Sequence, residues 1–190
     1  MDKTAYLLRE ICEIRTGYQK RKPKGNKYKL LKLSNLNKDG SINFEDVETF
    51  GNEEIKPRYI LHKDEILFKA KSSQNTAGVY RGEEDNLVVS GHFFIISIKE
   101  DYKDKINSGF LAWYLREEKA QKHFKKFAAG MAMPTVRKSD LEILEISVPP
   151  LEVQNMISDT YHLMLDEKKL LYEYINNRKK QVESTLREFL

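Results

Sequence analysis

Leu141-Glu-Ile-Leu-Glu-Ile-Ser-Val-Pro-Pro-Leu-Glu-Val-Gln154 changes period in its middle. Up to Val148 apolar and polar side chains alternate, as in a strand with one buried face. Pro149 and Pro150 lack a backbone N–H and end the ladder. Beyond them Ile157, Tyr161, Met164, Leu171, Ile175, Val182, Leu186 and Phe189 recur in steps of three and four, with Lys168 and Arg178 interrupting the seam. Residues 151–190 contain neither Gly nor Pro. A helix of that span reaches roughly 55–60 Å. This exceeds the diameter of the domain before it, so the distal half projects and its apolar stripe calls for a partner. Folding back as an ordinary amphipathic helix accounts only for the proximal half. The proline pair holds strand and helix at a set angle, which suits a ruler or an assembly arm.

The remainder reads as one globular domain, residues 1–149, ahead of the helix at 150–190. Residues 4–14 form a short helix or helix–strand pair that Gly17 ends. Residues 19–27, with Pro23 and Gly25, are a loop. Residues 28–36 alternate as a strand, Asp39-Gly40 is a turn, and 42–44 read as the returning strand. Two further strands, 65–70 and 78–81, flank a polar loop at 71–76. Residues 87–98 are the most β-rich stretch and read as one or two buried strands, with Gly91 a bend or bulge and His92 a packed or hydrogen-bonded strand residue. Ser108 is the expected cap of a helix over 110–128, with Leu111, Tyr114, Leu115, Phe124 and Phe127 facing inward and Gly130 its stop. The expected class is α+β: a twisted mixed β-sheet with flanking helices, carrying a long projecting C-terminal helix.

At 190 residues the chain can bury a real core. Its single cysteine, Cys12, reads as a core residue and excludes an internal disulfide framework and a four-cysteine zinc site. The opening MDKTAYLLRE has no apolar signal core, and no apolar run approaches the roughly 20 residues that span a bilayer. A soluble, cytoplasmic protein without a membrane partner is expected.

Charge sign is segregated although the net charge is only +4. Three windows without Asp or Glu, 14–38, 66–82 and 119–139, hold more than half of the 33 basic residues. Their convergence on one face would make a surface for a polyanion; the plain alternative is three unrelated solvated loops. Within them Lys71, Ser72, Ser73, Gln74 and Asn75 place short hydrogen-bonding side chains between two strands, a stretch that taken alone reads as a polar hairpin loop. Gln and Asn pair bidentately with adenine and Lys with guanine in a major groove. The loop with Lys20, Arg21, Lys22 and Lys24 suits phosphates. Lys122 and Lys125 leave the 110–128 helix toward solvent or phosphate. Arg15, Lys69 and Arg137 complete the candidate nucleic-acid contacts.

Catalytic constellations are missing from the pattern. There is no G-x-S-x-G elbow and no phosphate-binding Walker loop. Val148-Pro-Pro-Leu151 lacks the Asn/Asp-Pro-Pro-aromatic sequence of amino-methyltransferases. His62, His92, His123 and His162 sit at no metal-ligand spacing. No cofactor, metal or catalytic activity is expected.

The ordered pieces resemble the DNA-specificity subunits of type I restriction–modification enzymes. Leu8-Arg-Glu-Ile-Cys-Glu-Ile-Arg-Thr-Gly17 is similar to that family's opening motif. Tyr28-Lys-Leu-Leu-Lys-Leu-Ser-Asn-Leu36 through Asp39-Gly-Ser-Ile42 resembles its first hairpin. Lys63-Asp-Glu-Ile-Leu-Phe68, the Ser-Ser loop and Gly78-Val-Tyr80 resemble its next strand and loop, and residues 106–115 its helix. The end is most specific: Pro149-Pro150-Leu151, then Gln154 and Ile157, with Val153 where the family usually has Glu. The resemblance implies a target-recognition domain followed by a spacer helix. It implies a subunit without catalysis that reads one half of a bipartite double-stranded DNA site, while methyltransferase and restriction subunits do the chemistry. Typical members carry two recognition domains and two helices, so this chain resembles a half-subunit. Pairing with an identical chain or a second half-subunit is then expected through Ile157, Met164, Leu171, Ile175, Val182, Leu186 and Phe189. Recognition residues differ among members, so the DNA-contact candidates rest on charge and loop position alone. Two competing readings are an adaptor that docks a partner through the helix, its basic face incidental, and an accessory protein with nuclease activity, which the missing motifs disfavour.

Overall fold

Two layers of sheet share apolar side chains, and this explains why residues 93–98 do not alternate. The computed structural model describes residues 4–19, 24–72, 75–128 and 135–189. A four-stranded antiparallel sheet runs in the order β2 (Cys12–Thr16), β8 (Phe93–Ile98), β5 (Ile66–Lys69), β6 (Ala77–Val79). Ile14, Ile66, Phe68 and Ile96 face one cluster, beneath the helices. Leu67, Phe93 and Ile95 face another, shared with a smaller sheet. With both faces covered over residues 93–96, those four positions are all apolar and buried, and the polar Ser97 comes only where the strand leaves the second cluster. The smaller sheet is β4 (Glu48–Phe50), β3 (Tyr28–Leu31) and β7 (Leu87–Val89), with β3 antiparallel to β4 and parallel to β7. The expected mixed α+β architecture is present, divided among separate sheets.

Local departures have local causes. The N-terminal segment is strand–helix–strand: β1 (Thr4–Leu7), the single turn α1 (Leu8–Ile11) and β2. The returning strand at 42–44 does not form beyond an isolated Leu36–Ile42 bridge. Backbone bonds stop at Asn43 N–H to Asn35 O (2.7 Å) and Asn37 N–H to Ser41 O (2.9 Å), and beyond them the buried Asn35 amide donates to the carbonyls of Asn43 and Glu45. The 110–128 helix is two: α2 (Ser108–Tyr114) and α3 (Glu118–Ala128). The cap is Asn107, not Ser108, its Oδ1 accepting from the Phe110 N–H at 3.0 Å. Between the helices Gln121 Nε2 donates to the Leu115 carbonyl at 2.8 Å. Phe124 is buried as expected, but Phe127 is 36% exposed and lies beside the His123 ring. Gly130 lies outside the described residues. The 141–148 strand shortens to β9 (Glu145–Val148), preceded by α4 (Lys138–Glu142), because the Asp140 carboxylate accepts from the Arg137 N–H at 3.0 Å and nucleates a turn. β9 pairs antiparallel with β1 and closes the domain on its N-terminal strand.

From Pro150 the chain enters α5 (Leu151–Arg187), 37 residues long. Its first turns belong to the domain. The Gln154 side chain is 1% exposed, accepts from the Asn107 N–H and donates to the carbonyls of Lys105 and Pro149, each at 2.9 Å. Gly109 lets α2 approach: a Cβ there would collide with Ser158 Oγ. Ile157 packs against the core beneath α2, so it is withdrawn from the expected pairing stripe. Past Lys168 the described side chains of α5 are exposed. Among the described residues no helix is long and apolar enough to cross a membrane.

Candidate nucleic-acid interface

The turn between β7 and β8 joins the three basic windows. Tyr18 donates its N–H to Val89 at 2.7 Å, and Gln19 lies against Gly91. On the other side the His92 carbonyl accepts from the N–H groups of Ala70 (3.0 Å) and Lys71 (3.3 Å). Ala70 in turn accepts from Val136 at 2.9 Å, and Lys71 forms a β-bridge with Thr135. One short stretch of each window, residues 18–19, 70–71 and 135–136, is therefore joined through this turn. The sequence expectation missed this hub: His92 is an exposed turn residue, not a packed strand residue. Gly91 between two β-rich runs was the available signal.

Ion pairs sort the basic residues into two groups. Lys27, Lys29 and Lys32 pair with Glu54, Glu84 and Glu48, acids far along the chain. Lys119, Lys122 and Lys138 pair with Glu145, Glu118 and Glu142. Arg15, expected at the interface, is committed to the fold. Its five N–H donors all go inward: Nε to Arg58 O (2.7 Å), Nη1 to Glu65 (2.5 Å) and Ser97 Oγ (2.7 Å), Nη2 to Glu65 (2.5 Å) and Ile60 O (3.0 Å). No donor is left for a phosphate, so we read Arg15 as a brace.

Among the described residues, Lys69, Lys71, Lys125, Lys126 and Arg137 have no acidic partner within ion-pair distance. Lys69, Lys71 and Arg137 come together where the Lys71–Thr135 bridge joins the second and third windows, and Lys125 and Lys126 lie near the end of α3. Lys71, Lys125, Lys126 and Arg137 are exposed, and Lys69 is half-buried, where desolvation pushes its ammonium below the ordinary value. Cations without an acidic partner, next to Ser72 and Asn75, attract a polyanion. Asn75 has a structural task there: its Nδ2 donates to the Lys69 carbonyl at 2.8 Å and closes the loop. Ser72 is half-buried, and Lys24 is exposed at the start of the segment leading into β3. Lys122 carries its pair with Glu118 on the exposed side of α3. Lys20, Arg21, Lys22, Ser73 and Gln74 lie outside the described residues. Among the described residues no group of three His, Cys, Asp or Glu side chains is placed to hold a metal ion. Cys12 is buried, and desolvation pushes its thiol up to about 12.

Comparison with known proteins bears on the fold. Solved structures share the fold. The S subunit of a type I restriction–modification system from M. genitalium superposes with a TM-score of 0.63 at 15% identity, covering 94% of this chain and 43% of that one. The HsdS subunit from Thermoanaerobacter tengcongensis gives 0.58 at 15% identity, with 90% and 39% covered. A chain from work on complex assembly and conformational transition of the type I R-M system gives 0.60 at 14% identity, with 90% and 40% covered. This chain thus spans about two fifths of each. No curated protein sequence matches it. The family model for the type I restriction modification DNA specificity domain matches residues 2–183, nearly the whole described fold from β1 into the last turn of α5, and the chain belongs to that family.

Proposed function

We propose that this chain reads one half of a bipartite double-stranded DNA site and directs methyltransferase and restriction subunits to it. On this reading residues 1–149 are the recognition domain and residues 150–190 the arm that sets the distance to a second domain. The observation that carries it is the set of cations without an acidic partner, Lys69, Lys71 and Arg137, brought together by the Lys71–Thr135 bridge, with Lys125 and Lys126 exposed on α3. Family membership supplies the kind of polyanion. No step of catalysis is assigned to this chain.

The test is DNA affinity against salt. For a protein that neutralises Z phosphates, the log–log slope is about −0.9Z. Lys71→Ala and Arg137→Ala are expected to weaken all sequences alike, each making the slope shallower by about 1. Gln74→Ala is expected instead to relax preference at one base pair, costing about 1–3 kcal/mol there. A chain with no salt-dependent DNA affinity would be an adaptor that works through α5. Lysine or arginine variants that change base preference while Gln74→Ala does not would reverse the division of labour.

A further inference from the structure

We infer that Asp39, Arg116, Tyr161 and Lys168 set the angle between α5 and the recognition loop, and so the number of base pairs tolerated between the half-sites. The second half of that statement rests on the proposed DNA reading. The first half rests on geometry alone.

A long helix held at one end only is a lever. Gln154 and Ser158 fix α5 at its base on α2. From there to Arg187 the arm is about 50 Å long. A tilt of about 10° about that base would move the far end by about 8–9 Å, or about two to three base pairs at roughly 3.4 Å each. A bipartite reader needs a second anchor to prevent this.

The second anchor is the turn at Asp39-Gly40. Tyr161 Oη donates to the Asp39 carbonyl at 2.7 Å, and the Lys168 ammonium pairs with the Asp39 carboxylate. The other carboxylate oxygen accepts from the Ser41 N–H at 3.1 Å and the Ser41 hydroxyl at 2.6 Å, so the turn cannot rotate freely. Gly40 has φ +79°, and a side chain there would strike Arg116 and the Ala77 carbonyl. Arg116 joins the parts: its guanidinium lies over the Tyr161 ring, 4.3 Å from the centroid, and donates to Ala77 O.

The same turn is bonded to the root of the recognition loop. Thr76 Oγ1 donates to the Lys38 carbonyl at 3.0 Å, and Ala77 opens β6 directly after that loop. Thus one turn is tied to the loop at residues 76–77 and to the arm at Tyr161 and Lys168. These are positioning residues, since none belongs to the unneutralised cation group.

Tyr161→Phe with Lys168→Ala tests this, because it removes both bonds to Asp39 yet keeps the ring under Arg116. Spin labels on Asp101→Cys and Lys180→Cys, diluted with unlabelled chain, report the arm angle without DNA; buried Cys12 stays unlabelled. The expected result is a distance distribution several ångströms wider than in the labelled parent. On a library of sites with varied spacing, the preferred spacing is expected to broaden by one or more base pairs, with half-site base preference and salt slope unchanged. An unchanged distance distribution would overturn the inference. So would equal weakening at every spacing with no change in profile. A widened distribution in a chain without DNA affinity would uphold the anchoring role and overturn the proposed DNA reading.

Discussion

Ile175→Asp with Val182→Asp is expected to convert a two-fold dimer into a monomer at micromolar concentration. Both residues lie on the distal part of α5, where the domain offers nothing to cover them. Met164, Leu171, Ile175, Val182, Leu186 and Phe189 are 43% to 81% exposed and follow the three–four spacing of a paired helix. A strip of this length in water is a liability that stable monomers avoid. Burying one such side chain contributes about 1.5–3 kcal/mol. The two substitutions remove four burials from a symmetric pair, so the dissociation constant is expected to rise by at least about four orders of magnitude. Sedimentation of both chains measures it. A monomeric parent would leave only a different partner, such as a second half-subunit. A variant that stays dimeric would place the interface elsewhere. Antiparallel pairing puts the two domains at opposite ends of an arm of about 55 Å, longer than one DNA turn of about 34 Å. Two identical domains about a two-fold axis would then read an interrupted palindrome.

Glu65→Ala is expected to cost about 3–5 kcal/mol of stability, because it strands Arg15 as an unpaired charge in a mostly buried site. Their side chains are 11% and 24% exposed. Glu65 also accepts from the Ser97 hydroxyl at 2.6 Å and the His62 N–H at 2.8 Å, so one carboxylate ties β2, β8 and the start of β5 together. Burial by itself would raise its pKa. The hydrogen bonds from Arg15, Ser97 and His62 and the charge of Arg15 outweigh that, and hold it below the ordinary 4.5. A depressed carboxylate stabilises the fold above its unfolded pKa, and that contribution disappears as pH falls through the folded value. The parent is therefore expected to lose stability below about pH 4, where the variant is flatter. Urea unfolding at pH 7 and pH 3.5 measures both effects. Arg15→Met with Glu65→Leu is expected to recover much of the loss, since apolar replacement of both partners removes the stranded charge. If Arg15→Ala lowered DNA affinity without lowering stability, Arg15 would return to the interface.

The strand, proline pair and helix around Val148 were legible because each is a local pattern: alternation, missing N–H groups and a three–four repeat. So was the burial of Cys12 and Phe124, and so was family membership, through the order of short motifs. What the tertiary structure alone decided was the use of each charge and each face. Arg15 lies in an acid-free window, yet its partner Glu65 is 50 residues away. Ile157 fits the helical stripe as well as Met164, but only the docking of α2 at Gly109 separates a packed residue from an exposed one. The return at 42–44 had a strand's composition, but its ladder stops after one bridge, where the Asn35 amide takes over the carbonyls of Asn43 and Glu45. Local sequence specifies backbone periodicity, because that depends on neighbours within a few residues. Charge pairing and helix docking depend on residues brought together by the whole fold, and no window of sequence contains both partners.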